Sequence, residues 1–436
     1  MDNNTQMEHE IHSFPGRIRQ FRLFQPLTDR NFFLLWLGES VSVFGTQFHA
    51  LAMTWVILDV LKAPGLALGM IMMASAIPRA LFMLFGGVLS DRLSPRRVML
   101  VSNAAQCVLV AGLTVLVFAH TREVYTLEMW QLYVFSIIFG TVGAFFLPAI
   151  MTLIPRLLGR GKLEAGNALV MGTAELSGLV GPAAAGVLVA TIGTAPALGI
   201  DSATFAFATV TLLLMRGLSL QPQPIAEGEG RPAQPVRTDS ALTDIKNGFI
   251  YVLSQPTIRA LLPVLAIANL CIAGPIGVGL PVLVHKLTGE AVTLGIVMAV
   301  AGGGGLFGTL LAGSIKLRHR GILLIAIFII SGTGLALLGL APNTLSISLL
   351  VGAAAFGNGI ANVMLIAWFQ GVTRPDMLGR VMSLIMFASA GLVPLSLALG
   401  GWLVDLNHTL TFAGAGGLIV LTGFYLATNR TVRTID

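Results

Sequence analysis

The amino-acid sequence predicts an all-α membrane protein in which twelve transmembrane helices form two pseudo-symmetric six-helix bundles. Hydrophobic residues make up 55% of the 436 residues and charged residues only 11%, whereas roughly a quarter of the residues of a soluble protein are charged. Twelve apolar runs reach the length of about 20 residues that a spanning helix needs. This composition excludes a soluble enzyme, a DNA-binding module and a disordered scaffold.

The predicted spans are joined by short connections, with one exception. Residues 216–256 are polar and contain Gln221-Pro222-Gln223-Pro224, a composition typical of linkers. Their last part, 244–253, is predicted to lie on the membrane surface as a short amphipathic helix. The chain therefore divides into an N-terminal segment (1–30), a first bundle (31–215), the linker (216–256), a second bundle (257–429) and a tail (430–436). The predicted spans are 31–60, 66–89, 97–119, 130–154, 167–191, 194–215, 257–284, 291–316, 321–341, 344–370, 379–404 and 408–429.

Lysine and arginine residues are unevenly distributed between the two sides of the predicted bundle. Of the 26 such residues, 22 lie in the N-terminal segment, the linker, the tail and the loops on their side, and three lie in the opposite loops, at Lys62, Arg122 and Lys286. Cytoplasmic loops of membrane proteins are enriched in these residues, so both termini are predicted to be cytoplasmic. The net charge of +6 is attributed to loops facing anionic lipid rather than to nucleic-acid binding.

The connection between the second and third spans carries a charge cluster at a helix end. The run Gly87-Val88-Leu89-Ser90-Asp91-Arg92-Leu93-Ser94-Pro95-Arg96-Arg97 resembles the signature loop of the major facilitator superfamily, with Ser94 and Pro95 in place of a glycine and a basic residue. The resemblance implies the twelve-span fold of that superfamily and a latch that holds one conformation closed. An ordinary cytoplasmic loop is the alternative. The predicted latch residues are Gly87, Asp91, Arg92, Arg96 and Arg97.

A motif of small residues in the fifth span has a partner in the second half of the chain. Gly178-Leu179-Val180-Gly181-Pro182 is matched by Gly391-Leu392-Val393-Pro394, an internal repeat typical of duplicated transporter folds. The first copy, with Gly178, Gly181, Pro182 and Gly186, resembles the antiporter motif of the same superfamily, and simple helix packing is the alternative. The whole chain resembles a bacterial branch that contains enterobactin-type siderophore exporters and macrolide efflux proteins, which implies export across the bacterial plasma (inner) membrane.

Ionisable residues inside the spans are candidates for proton coupling, because charges there are costly and are retained for function. They are Glu39, His49, Arg79, Glu175 and Asp201. Arg79 is predicted to lie at the depth of Glu39 and Glu175 and to neutralise one of them, either as a static pair or as a partner that a proton displaces. Glu175 shares a face with the small-residue motif and is expected in a helix contact. Asp201 is expected to cap or pair locally.

A polar stripe on the first span indicates the wall of a central cavity. Glu39, Ser42, Thr46, His49 and Met53 fall on one helical face, and a membrane-embedded carboxyl group and a histidine are able to exchange protons near neutral pH. Glu39 is the preferred proton site, and a packing role for His49 is the alternative. For the asparagines of the seventh and tenth spans, helix-packing hydrogen bonds are the alternative. The predicted cavity residues are Thr46, Met53, Trp55, Phe139, Phe146, Asn269, Asn358 and Asn362.

These patterns predict a secondary active transporter that exports amphiphilic small molecules, such as macrolides or siderophores, in exchange for protons. A lipid or lysophospholipid transporter of the same fold is the alternative. No phosphate-binding loop, H-E-x-x-H pair or Cys/His cluster occurs in the sequence, so enzymatic activity, a cofactor and a metal site are not expected. The expected partners are a small-molecule substrate, protons and membrane lipid, and the protein is expected to be a monomer.

Overall fold

The computed structural model describes residues 22–216, 255–429 and 433, apart from gaps at 93, 316–318, 374–376, 378–380, 383 and 386–390. For residues 83–92 it describes the backbone alone. Most of the predicted N-terminal segment, the linker with its amphipathic helix and nearly all of the tail lie outside the described residues.

The first half of the chain folds into six helices that begin and end close to the predicted span limits. Asp29 caps the first helix, because its carboxylate accepts hydrogen bonds from the backbone N–H groups of Asn31 and Phe32 at 3.0 and 3.1 Å. The fourth helix is interrupted between Gly143 and Phe146. The helices are α1 (Arg30–Val60, its last five residues in a π-helical turn), α2 (Gly65–Arg92), α3 (Pro95–Thr121), α4 (Met129–Leu157), α5 (Arg160–Ile192) and α6 (Thr194–Leu214).

The second half contains six further helical segments among its described residues. The last two follow one another without a loop between Val393 and Thr428. They are separated only by a kink at Asn407, whose backbone is extended (φ −163°, ψ 108°). The side chain of Asn407 accepts the N–H of Leu410 at 3.0 Å and so caps the segment that follows. The segments are α7 (256–288, with a π-helical turn at Pro275–Gly279), α8 (Ala291–Ser314), α9 (Arg320–Leu338), α10 (Thr344–Val372), α11 (393–406) and α12 (408–428).

Helix pairs recur between the two halves with an offset of six helices. α2 packs against α4 where Gly140 meets the Ser75 carbonyl group, and α8 packs against α10 where Gly304 meets the Gly352 carbonyl group. In the same way, α1–α5 corresponds to α7–α11 and α3–α6 to α9–α12. Two such bundles confirm the predicted all-α membrane fold, and the described residues supply the twelve segments, counting the pair that meets at Asn407.

The two bundles contact each other mainly through α2–α11 and α5–α8. Glycine allows close approach at these contacts: Gly69 lies against the Leu397 carbonyl group and Gly401 against the Gly65 carbonyl group. These residues lie towards the end of the molecule where α1 ends and α2 begins, which we call the distal end. The opposite end, where α1 begins and α6 ends, is the terminal end.

Candidate functional site

A cavity of about 470 Å³ lies between the two bundles, and we call it the central cavity. Its walls come from α1, α2, α4 and α5 of the first half and from α7, α8 and α11 of the second half. The walls are mostly apolar, with residues such as Leu68, Met72, Leu294, Met298 and Leu397. A cavity of this size that both halves share matches the volume range of small-molecule sites in proteins.

His49 projects from α1 into an aromatic part of the cavity wall. Its ring stacks on Phe139 with centroids 4.8 Å apart and planes inclined by 6°, and lies 5.7 Å from the ring of Phe135. Phe139 in turn meets Phe205 edge-on at 6.3 Å. Three of the predicted cavity residues, Thr46, Met53 and Phe139, line this cavity together with His49.

Behind His49 lies the fully buried carboxylate of Asp201, on α6. His49 Nδ1 and Asp201 Oδ2 are 3.2 Å apart, but their angle is not that of a hydrogen bond, and neither atom has a hydrogen-bond partner among the described residues. Gly45 makes this approach possible, because a side chain there would lie 2.6 Å from Asp201 Oδ1. The Thr204 hydroxyl donates to the Asp201 carbonyl oxygen at 2.7 Å, which fixes the backbone beside the pair.

Glu39 of α1 is not part of the cavity lining, and its carboxyl group faces α3. Glu39 is 5% exposed. The polar side chain that approaches its carboxyl group is that of Asn103, which is itself 1% exposed. The Nδ2 atom of Asn103 has no hydrogen-bond partner within 3.5 Å among the described residues. The predicted stripe on α1 is therefore divided: Ser42 is buried like Glu39, whereas Thr46 and His49 reach the cavity.

Arg79 projects from the middle of α2 into the central cavity, and its side chain is exposed there. The predicted pairing with Glu39 or Glu175 is wrong, because neither carboxylate forms an ion pair with Arg79 in the described part of the chain. Glu175 is exposed rather than packed in a helix contact. The residue of its turn that does reach a neighbouring helix is Ser177, whose hydroxyl donates to the Val43 carbonyl oxygen at 3.1 Å.

A second cavity of about 470 Å³ lies inside the second bundle, and we call it the C-terminal cavity. The three predicted cavity asparagines, Asn269, Asn358 and Asn362, all line it together with Ser331. Asn269 also donates to the Leu265 carbonyl oxygen at 3.0 Å. No ionisable side chain belongs to the described lining, so this cavity offers hydrogen bonds but no charge.

Two predicted cavity aromatics lie elsewhere. Trp55 is nearer the distal end, where its ring meets His285 edge-on at 5.3 Å and lines a separate distal pocket. Phe146 packs against an apolar cluster that includes Phe32 and Leu153. These side chains were predicted to face the cavity because its wall was expected to be aromatic and apolar, but the depth of Trp55 and the break in α4 before Phe146 direct them to other contacts.

The small-residue motif of α5 forms the contact with α8. A side chain at Gly186 would lie 2.7 Å from the Ala291 carbonyl oxygen, and Gly295 and Gly302 of α8 lie against the carbonyl groups of Pro182 and Gly178. Gly181 faces Gln47 of α1 instead. The motif therefore joins the two halves through backbone contact. This close approach requires glycine on α8 as well as on α5.

The predicted latch is described in part. Arg96 is buried and donates to the carbonyl oxygens of Leu212 and Leu213, at 2.9 and 3.1 Å, at the C-terminus of α6. Arg97 is exposed. The side chains of Asp91 and Arg92 are outside what the structure describes, and Gly87 lies in the part of α2 that is described by its backbone alone. The contact that Arg96 makes is within the first bundle and does not by itself join the two halves.

At the distal end, carboxylates join the two bundles. Both oxygens of Asp405, on α11, accept hydrogen bonds from the first N–H groups of α2, at Gly65 (2.8 Å) and Leu66 (2.7 Å). Asp59 of α1 lies 3.3 Å from His285 of α7 and 2.7 Å from Lys62. The sequence placed Asp59 and Asp405 near span ends, but nothing in it indicates that they contact the other half.

Two six-helix bundles that share a cavity and close it at one end define a membrane transporter. The family model described as the Major Facilitator Superfamily matches residues 35–396, and the chain belongs to this superfamily. The protein is therefore a transporter of small molecules rather than an enzyme, as the signature loop and the small-residue motif predicted.

Curated relatives are similar along most of the chain at low identity. The "Multidrug efflux pump Tap" of Mycolicibacterium fortuitum is 26% identical, with 83% of this chain and 86% of the relative covered. The "Enterobactin exporter EntS" of Shigella boydii is 27% identical, covering 69% and 67%. The "Macrolide efflux protein A" of Streptococcus pyogenes is 23% identical, covering 93% and 97%.

Solved structures share the fold. The nucleoside transporter NupG superposes with a TM-score of 0.70 at 13% identity, covering 93% of this chain and 100% of the other. A bacterial homologue of the iron transporter ferroportin in an inward-facing state superposes with a TM-score of 0.70 at 14% identity, covering 93% and 99%. At these identities the similarity shows the fold alone.

Proposed function

We propose that this protein exports amphiphilic small molecules across the bacterial inner membrane by alternating access, in exchange for protons. The observation that carries the proposal is the central cavity, which both bundles line and which the α2–α11 and α5–α8 contacts separate from the distal end. The names of three relatives, a multidrug efflux pump, an enterobactin exporter and a macrolide efflux protein, support export.

The distribution of positive charge gives the orientation in this proposal. Lys and Arg are concentrated in segments on the terminal side, which places that side in the cytoplasm. The distal contacts then close the periplasmic side, and the structure corresponds to the state that loads cargo from the cytoplasm or the inner leaflet. Transport would separate α2 from α11 and α5 from α8 while the terminal side closes.

His49 and Asp201 are the proposed proton site. His49 lines the central cavity and Asp201 lies behind it, so a proton on the imidazole would place a cation 3.2 Å from a buried carboxylate. Cargo that stacks on the aromatic wall contacts the same ring, so proton and cargo affect each other's binding, as exchange requires. Each proton that enters with the membrane potential contributes about 2.3 kcal/mol per 100 mV. Glu39, buried beside Asn103, is the second candidate.

The proposal is tested by transport in proteoliposomes under an imposed pH gradient, with a macrolide, a catecholate siderophore, a dye and a lysophospholipid as cargo. We expect the wild type to move at least one of the first three against its gradient and His49→Gln to lose that accumulation. His408→Gln, which changes a histidine that lines none of the described cavities, is the matched control and should behave as wild type.

Two results would contradict the proposal. Movement of the lysophospholipid alone would favour the lipid transporter of the same fold. Undiminished pH-driven accumulation by His49→Gln would show that His49 does not carry the transported proton.

A further inference from the structure

Arg79 carries the only permanent charge on the described lining of the central cavity. The other ionisable lining residue is His49, and no aspartate or glutamate belongs to the described lining. The carboxylate of Asp201 is 0% exposed and lies behind the His49 ring. The cavity therefore presents positive charge and no exposed negative charge to its contents.

The position of Arg79 follows from the face that α2 turns to the cavity. Leu68, Met72, Ser75 and Arg79 lie on this face at helical spacing and all line the cavity. The guanidinium lies against α4 at Gly143, where a side chain would come within 3.1 Å of it. Glycine at this position leaves the room that the guanidinium occupies.

The described lining offers the guanidinium neutral polar groups but no counter-charge. The Nε2 atom of Gln106 approaches the same point, 3.4 Å from where a side chain at Gly143 would begin. Arg79 forms no ion pair with another described residue. A permanent cation on a mostly apolar cavity wall with no counter-charge among the described residues favours an anion, because the electrostatic attraction is screened less there than in bulk water.

We infer that the central cavity selects anionic amphiphiles, whose acidic group pairs with Arg79 while their apolar body lies on the aromatic wall formed by Phe135, Phe139 and His49. This inference rests on the proposed function and specifies its substrate class: carboxylates, sulfonates, catecholates or phosphates on an apolar frame. Cationic amphiphiles are disfavoured, because the described lining has no carboxylate to meet them and Arg79 repels them.

Three fluorescent probes that share one body test the inference. Dansylglycine carries a carboxylate, dansylglycinamide a neutral amide and N-dansylethylenediamine an ammonium group. Binding to the full-length protein in lipid nanodiscs is measured by energy transfer from tryptophan to the dansyl group. We expect the wild type to bind the acid about tenfold or more tighter than the amide, as one charge-assisted pair provides, and the ammonium probe least.

Variants at Arg79 separate charge from packing. Arg79→Gln should weaken binding of the acid about tenfold while changing binding of the amide less than twofold, and Arg79→Lys should retain part of the preference. Arg259→Gln is the matched control, because it removes an exposed arginine that lines none of the described cavities. Unchanged binding of the amide by Arg79→Gln shows that the variant is folded. If Arg79→Gln does not fold, the ratio of the affinities of Arg79→Lys for the acid and the amide tests the anion preference instead.

The outcomes distinguish failure of the inference from failure of the proposed function. Equal binding of acid and amide by the wild type, or equal loss of both in Arg79→Gln, overturns the anion preference and leaves the exporter proposal standing. Absence of binding of all three probes to the wild type contradicts the proposed function, and the inference fails with it.

Discussion

Asp405 offers a direct way to shift the balance between the two conformations that the proposed alternating access requires. Its carboxylate, on α11 of the second bundle, accepts two hydrogen bonds from the first N–H groups of α2 in the first bundle. The contact exists only while the distal end is closed. Asp405→Ala should therefore destabilise this state relative to one in which α2 and α11 separate.

The structure sets the size of the effect. Loss of an N-terminal helix cap costs about 1 kcal/mol, and loss of a negative charge at a helix N-terminus costs about 0.3–1 kcal/mol at an exposed site. Asp405 is exposed, so the value for an exposed site applies to the charge, and the two losses together come to about 1–2 kcal/mol. A shift of that size changes the ratio of the two conformations roughly five- to thirtyfold.

The assay is a distance measurement by electron spin resonance between labels at the distal ends of the two halves. Cysteines at Glu123 and Lys286, both exposed, carry the labels after Cys107 and Cys271 have been replaced. We expect Asp405→Ala to increase the population with a long distance between the labels.

Glu128→Gln is the matched control. Glu128 is also a carboxylate at the distal start of a helix, but its backbone N–H bonds to Gln131 of the same helix and it does not join the bundles. It should leave the distances unchanged. An unchanged distribution in Asp405→Ala, or the same change in the control, would refute the role of this contact in closure.

Two further predictions concern the bundle contact and the second proton candidate. Gly302→Ala would place a methyl group against the Gly178 carbonyl group, so overpacking should cost about 1–3 kcal/mol. The spin labels should then report a larger population with an open distal end. Gly414→Ala is the control and should leave the distances unchanged, because a side chain there meets nothing within 4 Å. Glu39→Gln should leave dansylglycine binding within twofold, because Glu39 lies outside the cavity lining. Loss of pH-driven export with intact binding in Glu39→Gln would move the proton site away from His49.

The limits of the spans could be predicted because they depend on local properties. The thickness of the hydrocarbon core requires about 20 apolar residues per helix, and polar caps such as Asp29 mark where a helix begins. The predicted first span, 31–60, thus differs by one residue from Arg30–Val60. The pseudo-symmetric arrangement was also predictable, since the repeated motif is visible in the sequence.

The sequence indicated which polar residues are unusual but did not give their partners. Arg79 was expected beside a carboxylate because both occur at similar depth, but depth does not fix the direction in which a side chain points around its helix. In the structure Arg79 faces the cavity and Glu175 is exposed. Conversely, the approach of His49 to Asp201 joins helices that are far apart in sequence, and it depends on the small size of Gly45.

By itself, the sequence determined that this protein is a twelve-helix membrane transporter of duplicated architecture, because hydrophobic length and internal repetition are properties of the chain. Only the tertiary structure decided where its charges act. The rotation of each helix and the close glycine contacts between helices determine which side chains share a cavity. As a result, Arg79 faces the central cavity, and the Asp405 carboxylate of α11 contacts the first N–H groups of α2 in the opposite bundle.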